Sequence, residues 1–364
     1  MKPAISPADR ANDARLLVID DDGRVSHHAR AGFPSLVREH DLVIANDAGT
    51  LPASLTGAHL PTGAAIEVRL AARDSLISRH VRRFIAIIFG SGDYRTPTEQ
   101  RPLPPPLHVG DELRLGPLRA SISAVCGHPR LIEVTFAGSV AEIWEGLARH
   151  GRPIQYSYVP ERLAMWDTWT RIAGQLVAFE APSAGFLLTW QMLDALRRRG
   201  ARVATLTHAA GISSTGDDRL DALLPFDEPY FIPSSTATSI DDTRQRGGRV
   251  IAVGTTVVRA LEDAARENGG VHAGHGVATT RIGPSTRLRV VDAIVSGVHE
   301  GGSSHYELLR AFQTDDVLRE MDAEAEGRGY LTHEFGDFVF IERGRARRST
   351  TIRFRCSRAA GAAA

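Results

Sequence analysis

The segment RVIAVGTTVVRALEDA at residues 249–264 constrains the fold of this chain more than any other. Up to Val253 it is apolar and rich in β-branched residues without polar alternation, as expected of a strand covered on both faces. After Gly254-Thr255-Thr256 the apolar residues Val258, Leu261, Ala264 and Ala265 recur at helical spacing, with Arg259, Glu262 and Asp263 on the other side. The segment therefore reads as strand, tight turn, helix. Glycine permits an unusual backbone angle at the turn, and either threonine can cap the helix by accepting from its first amides. Such a corner points amides and hydroxyls beyond the carboxyl end of the strand, where open α/β sheets bind ligands. An ordinary capped helix that binds nothing has the same pattern.

Other segments supply neighbours for this strand. Strands are predicted at LLVID (16–20), DLVIAND (41–47), ARVATLTH (201–208), LRVVDAIVSG (288–297) and FGDFVFIE (335–342). Helices are predicted at GFLLTWQMLDALRRRG (185–200, closed by Gly200), before the turn in DDTRQRGG (241–248), and at SHYELLRAFQ (304–313). Between about 61 and 138 the character changes to short alternating runs such as AAIEVRLA, RFIAIIF and LIEVTFAG, which suit a small antiparallel barrel or sandwich. Within it, the proline-rich TPTEQRPLPPPLHVGDEL reads as an extended loop leading to a strand, although a ligand for a proline-binding module has a similar composition. Strands at both ends of the chain, with the all-β segment between them, imply a mixed-sheet α/β main domain at 1–60 and 139–364. An antiparallel β-barrel is inserted in it at 61–138.

With 364 residues the chain is long enough for two such cores. Its 43 Lys+Arg balance 43 Asp+Glu, so no global field advertises a nucleic-acid or membrane partner, and a local patch stays open. The arginines at 343, 345, 347, 348, 353 and 355 form such a patch, readable either as phosphate contacts or as a solvated tail. Cys126 and Cys356, far apart and without CxxC spacing, offer neither a disulfide framework nor a cysteine zinc site. The polar opening MKPAISPADRANDAR and the absence of an apolar run near the roughly 20 residues of a membrane span lead to a cytoplasmic expectation; a monomer is expected separately.

Polar residues gather at the expected strand ends: Asn46-Asp47, His208, Gly254-Thr255-Thr256, His299-Glu300 and Gly336-Asp337. If the strands are parallel neighbours, these converge on one crevice. GVHEGGSSHYELL lacks HExxH, so no metal is expected and His299 reads as an acid–base or hydrogen-bonding group, with His305 and Glu307 in an exposed first helical turn. Asp337 opens a strand, where a turn-capping aspartate is the plainer reading. EAPSAGFLL at 180–188 places Pro182, Ser183 and Gly185 before a helix, either to admit a ligand or as a tight loop.

Taken in order, these segments resemble the S-adenosylmethionine:tRNA ribosyltransferase-isomerase family of queuosine biosynthesis through nearly the whole chain. GGRVIAVGTTVVRALEDA is similar to the family's G-x-R-V/I-x-A-V-G-T-T-x-x-R-x-L-E. NDAGTLPASLTG resembles N-D-T-R-V-x-P-A-R-L-x-G, and EAPSAG resembles A-A-P-T-A-G. VDAIVSGVHEGGSS is similar to V-D-x-L-I-T-N-F-H-L-P-x-S-T, and FGDFVFI to Y-G-D-A-M-L-I. The resemblance implies an α/β domain with an inserted antiparallel β-barrel. It also implies transfer and rearrangement of the ribosyl unit of S-adenosylmethionine onto the aminomethyl group of a 7-deazaguanine in precursor tRNA, with adenine and methionine released. S-adenosylmethionine is then a donor substrate, and no metal is needed. Carried onto this chain, His299 and Asp337 are the acid–base candidates. Asn46, Asp47, Pro182, Ser183, Gly185, His208, Gly254, Thr255, Thr256, Arg259 and Glu262 are the binding candidates.

The chain also departs from the family pattern. Leu187 stands where A-P-T-A-G-L-H-F-T has its histidine, Gly49 and Ser54 replace two arginines, and TLTHAAGISS keeps His208 but loses the end of T-L-H-V-G-x-G-T-F. LLPFDEPY retains only Glu228 of the H-x-M-H-x-E stretch, and P-L-P-P-Y-I has become PIQYSY. Losing arginine removes a bidentate anion grip. Three readings follow: the family reaction on precursor tRNA, a related transfer from S-adenosylmethionine to a small molecule, and a non-catalytic nucleoside-binding protein.

Overall fold

The computed structural model describes residues 1–7, 14–265, 270–299 and 301–347. Its body is a nine-stranded mixed sheet. The strand order is Gly274–Ala278, Glu228–Ile232, Arg202–His208, Leu42–Asn46, Val250–Val253, Ala293–Gly297, Phe338–Glu342, Arg15–Ile19 and Val25–Ala29. The four strands from Arg202–His208 to Ala293–Gly297 run parallel, and Phe338–Glu342 returns antiparallel beside them. Val250–Val253 is buried throughout, as its lack of alternation requires. Val250 and Ala252 pack with Val257, Val258 and Leu261 of helix Thr255–Ala264 on one face. Ile251 and Val253 pack with Met192, Leu193 and Leu196 of helix Trp190–Arg198 on the other.

The all-β segment closes into a six-stranded barrel with its own apolar core. Its first strand is Ser54–His59, which pairs with both Ala65–Ala72 and Glu112–Leu115 and so completes the ring. The boundary drawn at 60/61 from sequence cuts this strand off, because its small and polar residues show little alternation. The proline-rich loop crosses the outside of the barrel and is pinned by Arg101, which donates to the Glu67 carboxylate and to the carbonyls of Gly90 and Gly92. Helix Val140–His150 begins with a Ser139–Glu142 capping box and packs Ile143 and Leu147 into the barrel core.

Several predicted elements are shorter than expected: the helix at 304–313 ends at Leu309, the strand at 335–342 starts at Phe338, and two more have identifiable causes. The helix predicted at 185–200 starts at Trp190 because Thr189 accepts from the Met192 amide and caps it; residues Ser183–Leu187 form a 3-10 turn instead. The strand predicted at 288–297 is Ala293–Gly297, because the Glu262 carboxylate binds the amides of Arg289, Val290 and Val291 at 2.7–2.9 Å. Arg343 pairs with Asp292, Arg345 with Asp22, and Arg347 donates to the Pro284 carbonyl. The rest of that arginine run and Cys356 lie outside the described residues, as does Glu300. No helix among the described residues is long and apolar enough to cross a membrane.

Candidate active site

The carboxyl ends of the four parallel strands carry Asn46, His208, Gly254 and His299 to one edge of the sheet. Asp337 reaches the same edge from the amino end of an antiparallel strand. At the centre, Gly254 has φ 102° and itself occupies the N-cap position. Neither threonine caps the helix: both lie inside its first turn, and no side chain accepts from the first amides. Thr256 Oγ1 instead accepts from Asn46 Nδ2 at 3.4 Å. The positive φ is open to glycine, so this residue alone lets the strand turn directly into the helix.

This corner faces a cavity of about 310 Å³. Of the residues expected from sequence, the cavity brings together Pro182, Ser183, Gly254, Thr255, Thr256, Arg259 and His299. Arg259 is buried rather than solvated: it pairs with Glu228 and donates to the carbonyls of Phe226, Ala278 and Thr280. Asn46 lies beneath the corner, joining two strands by accepting from the His208 amide and donating to the His208 carbonyl. His208 is fully buried, 3.5 Å from a Glu228 carboxylate oxygen, and burial followed by the charge of Arg259 lowers its pKa to about 3.

Six expected residues, Asn46 and His208 among them, do not line the cavity. Asp47 accepts from Thr207 Oγ1, and Gly185 packs where a Cβ would lie 2.9 Å from Thr170. Glu262 holds the loop amides described above. The Asp337 carboxylate accepts from Arg15 N, Nε and Nη2 and from Leu331 N, so it ties the chain's first long strand to its last. Leu187, at the position of a family histidine, is fully buried in the apolar core.

Two chemically apt groups were not among the catalytic or binding candidates expected from sequence. His305 is half-buried rather than exposed and stacks on His299, with ring centroids 4.4 Å apart and planes 12° apart. Burial, then the charges of His305 and His333, hold the His299 pKa well below its ordinary value; burial and His333 lower that of His305 to about 4. Glu180 lines the cavity and accepts from the Tyr156 hydroxyl and the Ser213 amide. Burial raises its pKa to about 7, against the lowering effect of those hydrogen bonds. Tyr156 stacks on Tyr158, which stacks in turn on His333 and donates to Glu334. His305 had a positional signal, lying in the first turn after a serine able to cap a helix, as Ser303 does. Glu180 had only its place before Ala181-Pro182.

A neutral imidazole can accept a proton, and a carboxylic acid that stays protonated to about pH 7 can donate one. Titratable groups pushed apart in this way suit paired proton transfers. Among the described residues, no group of three or more His, Cys, Asp or Glu side chains is placed to hold a metal.

The family model described as "Queuosine biosynthesis protein" matches residues 2–341. The S-adenosylmethionine:tRNA ribosyltransferase-isomerase of Anaeromyxobacter dehalogenans is 32% identical over 351 residues, covering 93% of this chain and 95% of the relative. The protein of the same name from Pelobacter propionicus is 30% identical over 347 residues, covering 92% and 95%. A crystal structure of the S-adenosylmethionine tRNA ribosyltransferase of Thermotoga maritima aligns with a TM-score of 0.47 at 22% identity, over 93% of this chain and 95% of that one.

Proposed function

The chain belongs to the queuosine biosynthesis protein family, and from that premise we propose that it is an S-adenosylmethionine:tRNA ribosyltransferase-isomerase. It acts on the 7-aminomethyl-7-deazaguanine of precursor tRNA to form epoxyqueuosine, with adenine and methionine released. The observation that carries the reading is the uncapped Gly254-Thr255-Thr256 corner opening onto the same cavity as His299 and Glu180.

The residues divide the work as follows. The first amides of helix Thr255–Ala264 and the hydroxyls of Thr255 and Thr256 bind polar groups of the donor, and Pro182 and Ser183 form the facing wall. Arg259, held by Glu228 and three carbonyls, keeps that helix in register with the cavity. The sulfonium of S-adenosylmethionine acidifies the adjacent ribose C5′ hydrogens, and neutral His299 removes one. Protonated Glu180 supplies a proton to the departing adenine, the aminomethyl nitrogen of the 7-deazaguanine bonds to C5′ and gives up a proton, and methionine leaves as the epoxide closes. His299 and Glu180 are thus the base and acid, and Asp337 has a structural role outside the cavity, holding Arg15 and Leu331.

Incubation with S-adenosylmethionine, with and without tRNA bearing the 7-aminomethyl-7-deazaguanine, tests the reading. Adenine and methionine appear together only when that tRNA is present. Turnover without tRNA but with a small-molecule extract points to a changed acceptor, and binding without turnover to a nucleoside-binding protein.

A further inference from the structure

A second cavity, of about 600 Å³, lies between the barrel and the main body. Arg73, immediately after the barrel strand Ala65–Ala72, borders it and is 4% exposed. Its Nε, Nη1 and Nη2 are all buried, and none has a hydrogen-bond partner. The other buried arginines of the barrel differ. Arg69 and Arg101 share the Glu67 carboxylate, Arg130 donates to the Arg101 carbonyl, and all three stack over the Phe89 ring. Arg73 has no hydrogen-bond partner, and the charge acting on it is that of Asp74, at the edge of the same cavity. A buried, unpaired guanidinium is costly, and a planar fork of free donors is matched by a tetrahedral oxyanion.

The surroundings indicate what such an anion would belong to. Arg83 and Arg281 also border the cavity, together with Asp74, Glu133 and Asp227. Arg281 and Pro225 line the first cavity as well, so the two are back to back, and Arg281 is held there by donating to the Ala222 carbonyl at 2.8 Å. We infer that the Arg73 cavity is a phosphate-binding site, adjacent to but distinct from the donor cavity. Its anion is a phosphate group, either free or part of a polynucleotide backbone. The site stands on Arg73 alone; the polynucleotide source rests on the tRNA reading above.

Calorimetry and thermal unfolding of the full chain with inorganic phosphate, and separately with a short single-stranded RNA, test this without S-adenosylmethionine or turnover. Phosphate should bind the wild type and raise its Tm. Arg73→Met should fold with an equal or higher Tm in buffer, since it removes an unpaired buried cation, and should weaken phosphate binding by about tenfold or more. Arg73→Lys keeps the charge without the fork and gives a second folded variant, expected to bind more weakly than the wild type. RNA binding that falls with phosphate binding in both variants assigns the site to a nucleic-acid backbone; loss of phosphate binding alone assigns it to a free anion. Unchanged phosphate binding in Arg73→Met, or no binding of either ligand by the wild type, overturns the inference.

Discussion

The imidazoles of His299 and His305 stack face to face at 4.4 Å across the rim of the cavity. Two imidazolium ions at that separation repel, which favours a neutral pair. Replacing His299 by Gln should lower the rate of adenine release by about 10²–10⁴-fold, as expected for loss of a positioned base, while calorimetry shows nearly unchanged donor binding. The acid limb carries a second signature. Activity needs neutral His299, so His305→Phe, which removes a charge that lowers the His299 pKa, should move the loss of activity to higher pH.

Glu180 carries the opposite requirement. If its protonated form donates to adenine, turnover should fall as pH rises through about 7, the value to which burial lifts its pKa. In Glu180→Gln the rate should be low and the alkaline limb absent. A limb that persists in the variant belongs to another group.

His208 makes a prediction about stability rather than rate. Its folded pKa, about 3, is depressed below the unfolded value near 6.5. The neutral form therefore contributes stability that is present above about pH 6.5 and is lost as pH falls toward 3. In urea unfolding, the stability advantage of the wild type over His208→Asn should shrink on acidification by about 1.4 kcal/mol per pH unit. A difference independent of pH would place the ring in a charged state.

Asp337 should behave as structure. Its carboxylate serves three donors of Arg15 and one amide, with the Arg15 side chain 36% exposed. Asp337→Asn should cost about 1–3 kcal/mol in urea unfolding. The pH dependence of adenine release should be unchanged in the folded variant. A shifted profile would bring Asp337 into the proton transfers.

The central sheet was legible because Val250–Val253 and its parallel neighbours are apolar on both faces, a pattern that little else produces. The barrel was legible from alternation, and its first strand was missed because SLTGAH alternates weakly. The corner at Gly254 was also visible, yet which of its residues face the cavity was not. Arg259 and Glu262 look like the solvated side of an amphipathic helix; both are buried because the following strands and loops fold over that side and use their charges. Glu180 gains its chemistry from burial beside Tyr156, a contact between residues 24 apart that no local pattern encodes.

The proposed reaction differs from an ordinary use of S-adenosylmethionine in which part of the donor is kept. Two parallel reactions on precursor tRNA, one with the donor labelled in its ribose carbons and one labelled in its methyl group, separate the possibilities directly. Ribosyl transfer predicts ribose label retained in the tRNA and methyl label recovered wholly in free methionine. Methyl label in the tRNA, or no label retained from either donor, would contradict it.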